Sequence, residues 1–354
     1  MKAERDRVVV GMSGGVDSSM AAALLKERGH HVVGVHLELP VFGEPDQRAA
    51  RREVRRVSRH LDIPVRFVDA EDEFEREVLA HFADTYAAGR TPNPCVRCNA
   101  RVKFRSLLAE ADRLGARRVA TGHYAGKENR DDGRCVLTGG GANDQAYFLY
   151  ALSQEQLRRA AFPLAGLEKG EVRRMARERR LPVHGRPDSQ DLCFLADGRY
   201  RAFLRRRCPG AFRPGPVVHV SGEPLGRHRG IGAYTVGQRR GMGIAHTEPL
   251  YVVAIRPEEN TVVVGEREHL LKRAMTVSDV RWQGVNAPSE PLSAVVKIRY
   301  NHPGGRASIS PVDQGRVRVE FGEPQEAPCP GQSAVFFDQG VLLGGGVIQD
   351  VIGE

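Results

Sequence analysis

The residues that most clearly suggest chemistry form a glycine- and serine-rich stretch near the N-terminus. The stretch reads Gly11-Met12-Ser13-Gly14-Gly15-Val16-Asp17-Ser18. Glycine lets the backbone approach an anion closely, and serine hydroxyls add hydrogen-bond donors. The stretch therefore predicts a phosphate-binding loop, although it lacks the Gly-Lys-[Ser/Thr] of a nucleoside-triphosphatase P-loop.

The pattern Ser-Gly-Gly-x-Asp-Ser in this loop resembles the loop of enzymes that cleave ATP to AMP and pyrophosphate. Their usual reaction is adenylation of a carbonyl or carboxyl oxygen, so we expect ATP as a cofactor. Two roles are open for Asp17. It orders the loop or a metal ion, or it serves only as an acidic residue at a helix N-terminus.

Three of the six cysteines stand in settings that suggest reactive thiols. Cys95 and Cys98 form a Cys-x-x-Cys in a polar, proline-containing loop before a predicted helix. Cys193 stands in the segment Asp188-Ser189-Gln190-Asp191-Leu192-Cys193-Phe194. A thiolate near a helix N-terminus, with Arg97 and Arg101 close in sequence, is expected to have a lowered pKa. Without a second Cys-x-x-Cys, structural zinc is not expected, whereas an iron–sulfur cluster and a sulfur-transferring thiol pair both remain open. The other cysteines are expected to be small buried hydrophobes, namely Cys135, Cys208 and Cys329.

The elements that position these residues follow from the alternation of apolar runs and amphipathic segments between residue 7 and about 125. Strands are predicted at Val8–Val10, His31–Leu39, Val65–Val68 and Arg118–Thr121, and helices at Ser18–Arg28, Gln47–Leu61, Glu71–Ala87 and Val102–Leu114. This alternation predicts an α/β fold with a parallel, doubly wound sheet. Ligands of such sheets bind beyond the carboxyl ends of the strands, where the phosphate-binding loop would lie.

The character of the sequence changes after Pro209, where glycines, prolines and short β-branched runs dominate. The apolar runs lie at Tyr251–Ile255, Thr261–Val264, Ala294–Ile298 and Ala334–Phe337. Runs spaced in this way, with turn residues between them, predict one small β-rich module followed by a terminal β-barrel.

The bulk composition sets limits on the class of protein. A chain of 354 residues predicts two or three domains. Lys and Arg number 53 against 44 Asp and Glu, which favours a polyanionic partner or a solvated basic surface. No signal-peptide core or membrane-spanning run is visible, and the scattered cysteines indicate no disulfide framework. A cytoplasmic protein without a membrane partner is therefore expected.

A set of short motifs falls in order over nearly the whole chain. Besides the phosphate-binding loop, it comprises Asn93-Pro94-x-x-x-Cys98-Asn99 with Lys103-Phe104, Thr121-Gly122-His123-Tyr124, Asp144-Gln145-x-Tyr147-Phe148-Leu149, Cys193-Phe194, Gly237-Gln238-Arg239-Arg240-Gly241-x-Gly243, Arg299-Tyr300 and Pro330-Gly331-Gln332. As a set, these motifs resemble those of the tRNA-specific 2-thiouridylase family. The resemblance implies an adenine nucleotide alpha hydrolase-like, ATP-pyrophosphatase-type domain at residues 1–200, a small tRNA-contacting central domain at 201–272 and a β-barrel at 273–354.

The resemblance also implies a reaction, the ATP-dependent 2-thiolation of the wobble uridine of tRNA. The C2 oxygen of the uridine would be adenylated with release of pyrophosphate, and Mg²⁺ would accompany ATP. A cysteine persulfide, loaded by a sulfur-donor or sulfur-carrier protein, would then supply the sulfur. Cys98 matches the nucleophile of the family, and Cys193 matches the residue that carries the persulfide.

Substrate contacts can be carried over from the same resemblance. Gly11 to Ser18 would hold the ATP phosphates, and Leu37 and Gly122 would contact the adenosine part. The target base would face Asn93, Pro94 and Cys95. The other tRNA contacts would be His123, Asn143, Asp144, Gln145, Arg299, Tyr300 and Gln332.

Two positions depart from the family pattern. Many members have an aspartate, a proposed general base or cluster ligand, where this chain has Cys95. Because a thiolate is a softer ligand than a carboxylate, a [4Fe–4S] cluster on Cys95, Cys98 and Cys193 stays open beside a disulfide route. A lysine is common at Asn143, so one phosphate contact is expected to be lost.

Three other classes of protein were weighed against this interpretation. An amide-forming ligase of the GMP- or argininosuccinate-synthetase type would share the loop but would have no use for Cys98 and Cys193. A non-catalytic iron–sulfur or redox protein would explain the cysteines but not the loop. A plain tRNA-binding module would need neither.

Overall fold

The structure is a computed structural model of the chain. It describes residues 6–43, 47–139, 143–187, 192–195, 200–313 and 315–352, with the side chains of residues 47 and 48 left out. The chain divides into two units. The first unit comprises Met1–Val78, Cys95–Gly198 and Gly340–Leu342, and the second comprises Leu79–Pro94, Arg199–Gln339 and Leu343–Glu354.

The first unit is built on a parallel sheet. Its described strands are β1 (Arg7–Gly11), β2 (His31–Glu38), β3 (Val65–Asp69), β4 (Arg118–Ala120), β5 (Gly126–Asn129), β6 (Cys135–Thr138) and β7 (Ala160–Ala161). Five of them are parallel in the order β3-β2-β1-β4-β7, and β5 and β6 form an antiparallel hairpin. Because β1 lies between β2 and β4, the winding reverses at β1. The predicted doubly wound α/β fold is confirmed.

Helices cover this sheet and seal its core. Those of the first unit before residue 180 are α1 (Val16–Glu27), α2 (Gln47–His60), α3 (Glu71–Phe74), α6 (Phe104–Arg113), α7 (Gln154–Arg159) and α8 (Lys169–Glu178). Helix α4 (Ala80–Ala87) belongs to the second unit, and α5 (Pro94–Cys98) begins at the border between the units in the sequence. Val8 and Val10 of β1 pack against Ala22 of α1 and Val54 of α2, and all four side chains are buried. The alternation of apolar strands with helices that present an apolar face produces this two-sided core.

Two predicted helices differ from those observed. The helix predicted over Glu71–Ala87 is interrupted by a π-helical turn at Glu75–Leu79. The helix predicted to begin at Val102 begins at Pro94 instead, because a proline with preset φ suits a first helical turn. A second π-helical turn, Asn99–Lys103, joins α5 to α6. The Cys-x-x-Cys is thus helical, and the prediction of a loop at this position was wrong.

The second unit contains a small sheet and a barrel. The small sheet has the order β10-β11-β8-β9, formed by β8 (Gly215–His219), β9 (Pro224–His228), β10 (Tyr251–Arg256) and β11 (Thr261–Gly265). Helix α9 (Tyr200–Arg207) precedes this sheet in the sequence. The core of the sheet includes the buried residues Val217, Val252 and Val262. This is the small β-rich module that the sequence predicts.

The barrel follows directly. Its strands are β12 (Leu271–Trp282), β13 (Leu292–Lys297), β14 (Gly305–Asp313), β15 (Arg316–Glu326), β16 (Ser333–Asp338) and β17 (Val341–Ile352). They are ordered β12-β15-β14-β13-β16-β17, and pairing of β12 with β17 closes the sheet. Buried Val277, Val296 and Phe336 fill the interior. The terminal β-barrel is confirmed. No helix in the described ranges is long and apolar enough to span a membrane.

Candidate active site

The phosphate-binding loop lies between β1 and α1, where the winding of the sheet reverses. Gly14 has a φ of +78°, a conformation that favours glycine. In the described loop, Gly15 caps α1 with extended backbone and without a side-chain hydrogen bond. The Ser13 N–H donates to Ser18 Oγ at 3.2 Å, and the Ser19 hydroxyl donates to the Gly15 carbonyl at 2.7 Å. The loop thus leads directly into the N-terminus of α1, the part of a helix whose free N–H groups can bind an anion.

Asp17 anchors this loop to two other parts of the first unit. The Tyr124 hydroxyl donates to Asp17 Oδ1 at 2.7 Å, and Lys169 Nζ donates to Oδ2 at 2.5 Å. Lys169 also lies over the Tyr124 ring, 5.5 Å from its centroid. Of the roles left open for Asp17, the structure supports ordering of the loop. Tyr124 belongs to a motif found in the sequence, but nothing in the sequence pattern marked Lys169.

A second cation was also missed by sequence reasoning. Arg186 Nη1 donates to the Gly14 carbonyl at 3.0 Å. Arg186 thus places a guanidinium against the loop, whereas the charge of Lys169 is paired with the Asp17 carboxylate.

The two predicted adenosine contacts flank the same loop. Gly122 follows β4 and lies so close to α1 that a Cβ would stand 2.6 Å from Ser18 N and 2.7 Å from the Asp17 carbonyl carbon. Only glycine permits this approach without a shift of the backbone. Leu37 lies in β2, on the other side of β1, and is half-buried. Contact of Gly122 and Leu37 with adenosine stays a prediction.

The three cysteines singled out from the sequence all lie in the first unit. Cys95 and Cys98 stand in α5, and Cys193 follows residues 188–191, which lie outside the described residues. Cys98 is 8% exposed, whereas Cys95 and Cys193 reach solvent. The neighbouring Phe194 is buried, packs edge-on against Phe74 at 5.7 Å between ring centroids, and fixes the chain beside Cys193.

The protein raises the pKa values of these thiols, so the prediction of lowered values was wrong. Desolvation raises the pKa of Cys98 to about 12 and that of Cys95 to about 11. Cys95 reaches solvent, yet protein atoms surround it closely enough to disfavour the thiolate. Lys103 opposes the shift at both. Arg97, expected to help, instead donates to the Glu77 carboxylate at 3.1 Å.

The three thiols also influence one another. Desolvation is the main cause that raises the pKa of Cys193. The charge of an ionised Cys193 in turn raises the pKa of both Cys95 and Cys98. Cys193 therefore lies within electrostatic range of both cysteines of α5, from which about one hundred positions separate it in the sequence.

The donor set does not fit a metal centre as it is arranged here. Among the residues that the structure describes, no group of three or more His, Cys, Asp or Glu could hold a metal ion. An iron–sulfur cluster requires several thiolates directed at one point. The six cysteines are all free.

The raised pKa of Cys98 leads to a prediction about its reactivity. We expect the rate of Cys98 alkylation by iodoacetamide to rise about tenfold per pH unit between about pH 8 and 10, because the thiolate fraction rises tenfold per unit below the pKa. Mass spectrometry of the modified peptide measures this rate, with glutathione in the same tube as a control of ordinary pKa. A plateau for Cys98 below about pH 9 would show that its pKa is not raised.

His123, a predicted tRNA contact, is held as a neutral ring. Burial lowers its pKa well below the usual value, and Lys103 lowers it further. Its Nδ1 lies 2.8 Å from the Thr121 hydroxyl, and its ring stacks on Phe104 with 6.3 Å between centroids. His123 can therefore accept or donate a hydrogen bond but would not carry charge toward a phosphate at neutral pH.

The predicted tRNA contacts at 143–145 are tied to the Tyr124 motif. The Gln145 N–H donates to the Tyr124 carbonyl at 2.6 Å, and Gln145 Oε1 accepts from the Tyr124 N–H at 3.1 Å. Asn143 Nδ2 donates to Glu168 at 3.3 Å, and Asp144 Oδ1 accepts from the Ala146 N–H at 2.8 Å. Tyr124 therefore contacts both this segment, through its backbone, and Asp17 of the phosphate-binding loop, through its hydroxyl.

The remaining predicted tRNA contacts lie in the second unit. Asn93 and Pro94 immediately precede Cys95 in sequence, and Pro94 begins α5. Arg299 Nη1 donates to the Glu326 carbonyl at 2.9 Å, and Tyr300 follows it. Gln332 donates to the backbone just before Asn93. Contact of these residues with tRNA stays a prediction.

Comparison with protein-family models accounts for most of the chain. A model described as tRNA methyl transferase HUP domain matches residues 6–197. One described as tRNA methyl transferase PRC-barrel domain matches residues 201–266, and one described as aminomethyltransferase beta-barrel domain matches residues 272–348.

Individual proteins are similar over their full length. The tRNA-specific 2-thiouridylase MnmA of Syntrophotalea carbinolica is 46% identical over 353 residues, which covers 98% of this chain and 100% of the relative. That of Halothermothrix orenii is 42% identical, covering 98% and 99%. A solved 4-thiouridine synthetase–RNA complex with bound ATP aligns over 58% of this chain and 50% of that chain at 18% identity and a TM-score of 0.35, too distant to inform the site.

Proposed function

The chain belongs to the tRNA-specific 2-thiouridylase family, and from this membership we propose that it adenylates the C2 oxygen of the wobble uridine and replaces that oxygen with sulfur. The protein is a tRNA sulfurtransferase, and tRNA is its substrate. One observation carries the finer proposal. The loop between β1 and α1, with Arg186 at the Gly14 carbonyl, lies in the same unit as the thiols of Cys95, Cys98 and Cys193.

Methyl transfer, the activity in the description of the matching family model, fits this site less well. A methyl group can pass directly from a cofactor to a base without cleavage of ATP to pyrophosphate. Such a methyl transfer would not require the thiols of Cys98 and Cys193. The full-length relatives are named for thiolation.

ATP would bind with its phosphates on the loop between β1 and α1. Backbone N–H groups at the start of α1 and the Arg186 guanidinium would supply positive potential for the phosphates, while Lys169 is paired with Asp17. The C2 oxygen of the uridine would attack the α-phosphorus, forming a P–O bond while the bond to pyrophosphate breaks. The oxygen, a poor leaving group before this step, would then depart with AMP.

Mg²⁺ usually accompanies ATP, but the loop does not fit a protein-held ion. Asp17 is the one acidic residue between Gly11 and Ser18. Its two carboxylate oxygens are engaged by Tyr124 and Lys169. The proposed phosphate chemistry therefore rests on the N–H groups of the loop and on the Arg186 guanidinium.

The sulfur would come from a persulfide on Cys193, loaded by a sulfur-donor or sulfur-carrier protein. In one route the terminal sulfur attacks C2, and Cys98 then attacks Cys193 Sγ, which breaks the S–S bond and leaves the sulfur on C2. In the other route Cys98 attacks Cys193 Sγ first and releases hydrosulfide, which then attacks C2. In both routes AMP leaves with the original oxygen, and Cys98 and Cys193 lose two electrons to form a disulfide. A thiol reductant must then restore the two thiols.

Nucleoside mass spectrometry tests this proposal. The anaerobically purified protein is incubated with unmodified tRNA, ATP–Mg²⁺ and a persulfide donor, and iron and visible absorption are measured on the same sample. ATP-dependent 2-thiouridine supports the proposal, and bound iron would favour a cluster-dependent variant over the disulfide route. Pyrophosphate release without thiolation would instead indicate another adenylating ligase.

A further inference from the structure

The turn Cys329–Gln332, called the barrel turn below, joins β15 to β16 in the second unit. The Gln332 N–H donates to the Cys329 carbonyl at 3.0 Å. The Gly331 N–H donates to the Ile348 carbonyl, and the Ile348 N–H donates to the Gln332 carbonyl, each at 2.8 Å. The barrel turn is therefore fixed to the wall of the barrel through β17.

The barrel turn binds the backbone of Thr91 and Pro92, which belong to the same unit. Gln332 Nε2 donates to the carbonyl oxygens of both residues, at 3.1 Å each. In return, the Thr91 N–H donates to the Pro330 carbonyl at 2.9 Å. The side-chain amide of Gln332 thus donates to two successive backbone carbonyls. A side chain that can only accept hydrogen bonds could not replace it.

The barrel turn also packs closely against Thr91 at Gly331. Gly331 has a φ of +93°, and a Cβ there would lie 2.8 Å from the Thr91 carbonyl oxygen. The Thr91 hydroxyl donates to Thr235 Oγ1 at 3.3 Å. Thr91 is therefore held both by its backbone and by its side chain.

We propose that the barrel turn positions the segment that carries Asn93, Cys95 and Cys98, with Gln332 as the main positioning residue. The inference rests on the proposed function. Pro92 is followed by Asn93 and then by Pro94, where α5 begins. Fixing Thr91 and Pro92 therefore fixes the point from which the chain enters the cysteine helix.

The expected consequence is on turnover rather than on tRNA affinity. Displacement of a reacting group by about 1 Å lowers the rate of a positioned reaction by as much as about 100-fold. Gln332 is itself a predicted tRNA contact, but its replacement leaves the other predicted contacts chemically unchanged, so the affinity for tRNA should change little. A side chain that only touched tRNA would have the opposite effect, a raised KM with little change in kcat.

Gln332→Glu tests the inference, because the carboxylate has nearly the same shape but would face two carbonyl oxygens without a donor. We expect kcat for thiolation to fall about 10-fold or more, with KM for tRNA changed less than about threefold. Without any substrate, alkylation of the buried Cys98 should become about fivefold faster, because the segment opens more often. Thermal unfolding checks that the variant is folded.

A glycine pair gives a second, matched comparison. Gly331→Ala forces a Cβ against Thr91, whereas Gly315→Ala has a similar φ, +84°, but no neighbour within 4 Å. Both substitutions strain the backbone, and only the first should lower kcat and expose Cys98.

Three results would overturn the inference: Gln332→Glu with wild-type kcat and wild-type Cys98 alkylation, a raised KM alone, or equal effects of Gly331→Ala and Gly315→Ala. Failure of the wild-type protein to thiolate tRNA would instead contradict the proposed function. In that case the alkylation measurement still tests the anchoring of the segment.

Discussion

Replacement of Cys98 by serine is expected to lower the rate of 2-thiouridine formation by at least about 1,000-fold, while the affinity for tRNA changes by less than about threefold. Serine is nearly the same size as cysteine, so the site of this 8% exposed side chain should keep its packing. A hydroxyl, however, neither attacks a persulfide nor forms a disulfide. The loss should therefore appear in chemistry and not in binding.

Nucleoside mass spectrometry and tRNA gel-shift titration measure the two quantities on the same preparations. Cys193→Ser should behave like Cys98→Ser, because the persulfide would have no carrier. Cys208→Ser is the matched control, since its thiol only donates to the Leu204 carbonyl at 3.1 Å, which a hydroxyl can also do. Retained 2-thiouridine in either active-site variant would overturn the role proposed for that cysteine.

Cys95 separates the two routes to sulfur. In the disulfide route, Cys95→Ser should retain most of the thiolation, and the wild-type protein should yield a Cys98–Cys193 disulfide after one turnover. In a cluster route, Cys95→Ser would abolish activity together with bound iron.

Gly122→Ala is expected to lower ATP-dependent pyrophosphate release by about 100-fold. The added Cβ would stand 2.6 Å from Ser18 N and 2.7 Å from the Asp17 carbonyl carbon. Both are backbone atoms at the start of α1, so the collision cannot be relieved by rotating a side chain. The loop and its N–H groups must move away from the phosphates.

Pyrophosphate release by the variant is measured with saturating tRNA and increasing ATP. Gly210→Ala is the control, because no atom lies within 4 Å of the Cβ that it adds. Equal pyrophosphate release by Gly122→Ala and the wild-type protein would show that α1 does not hold the phosphates.

Much of the fold and part of the site follow from local sequence. β1, the phosphate-binding loop and α1 are adjacent in the chain, so strand, glycine and helix signals fall in the order in which they act. The β-rich second half and its closing barrel were also predictable from short apolar runs. The helical start at Pro94 was not, because the same proline is compatible with an extended loop and with a first helical turn.

Local sequence was enough to establish which chemical groups the candidate site contains, namely the glycines and serines of the loop and the thiols of Cys95, Cys98 and Cys193. The tertiary structure alone decided how they are held and how they ionise. Lys169 reaches Asp17 across 152 positions, and Gln332 reaches Thr91 across 241, so no local pattern could reveal either contact. The pKa values of the thiols likewise depend on residues that are distant in the sequence. Nearby arginines in sequence suggested lowered values, but desolvation depends on every atom packed around a thiol and raised them.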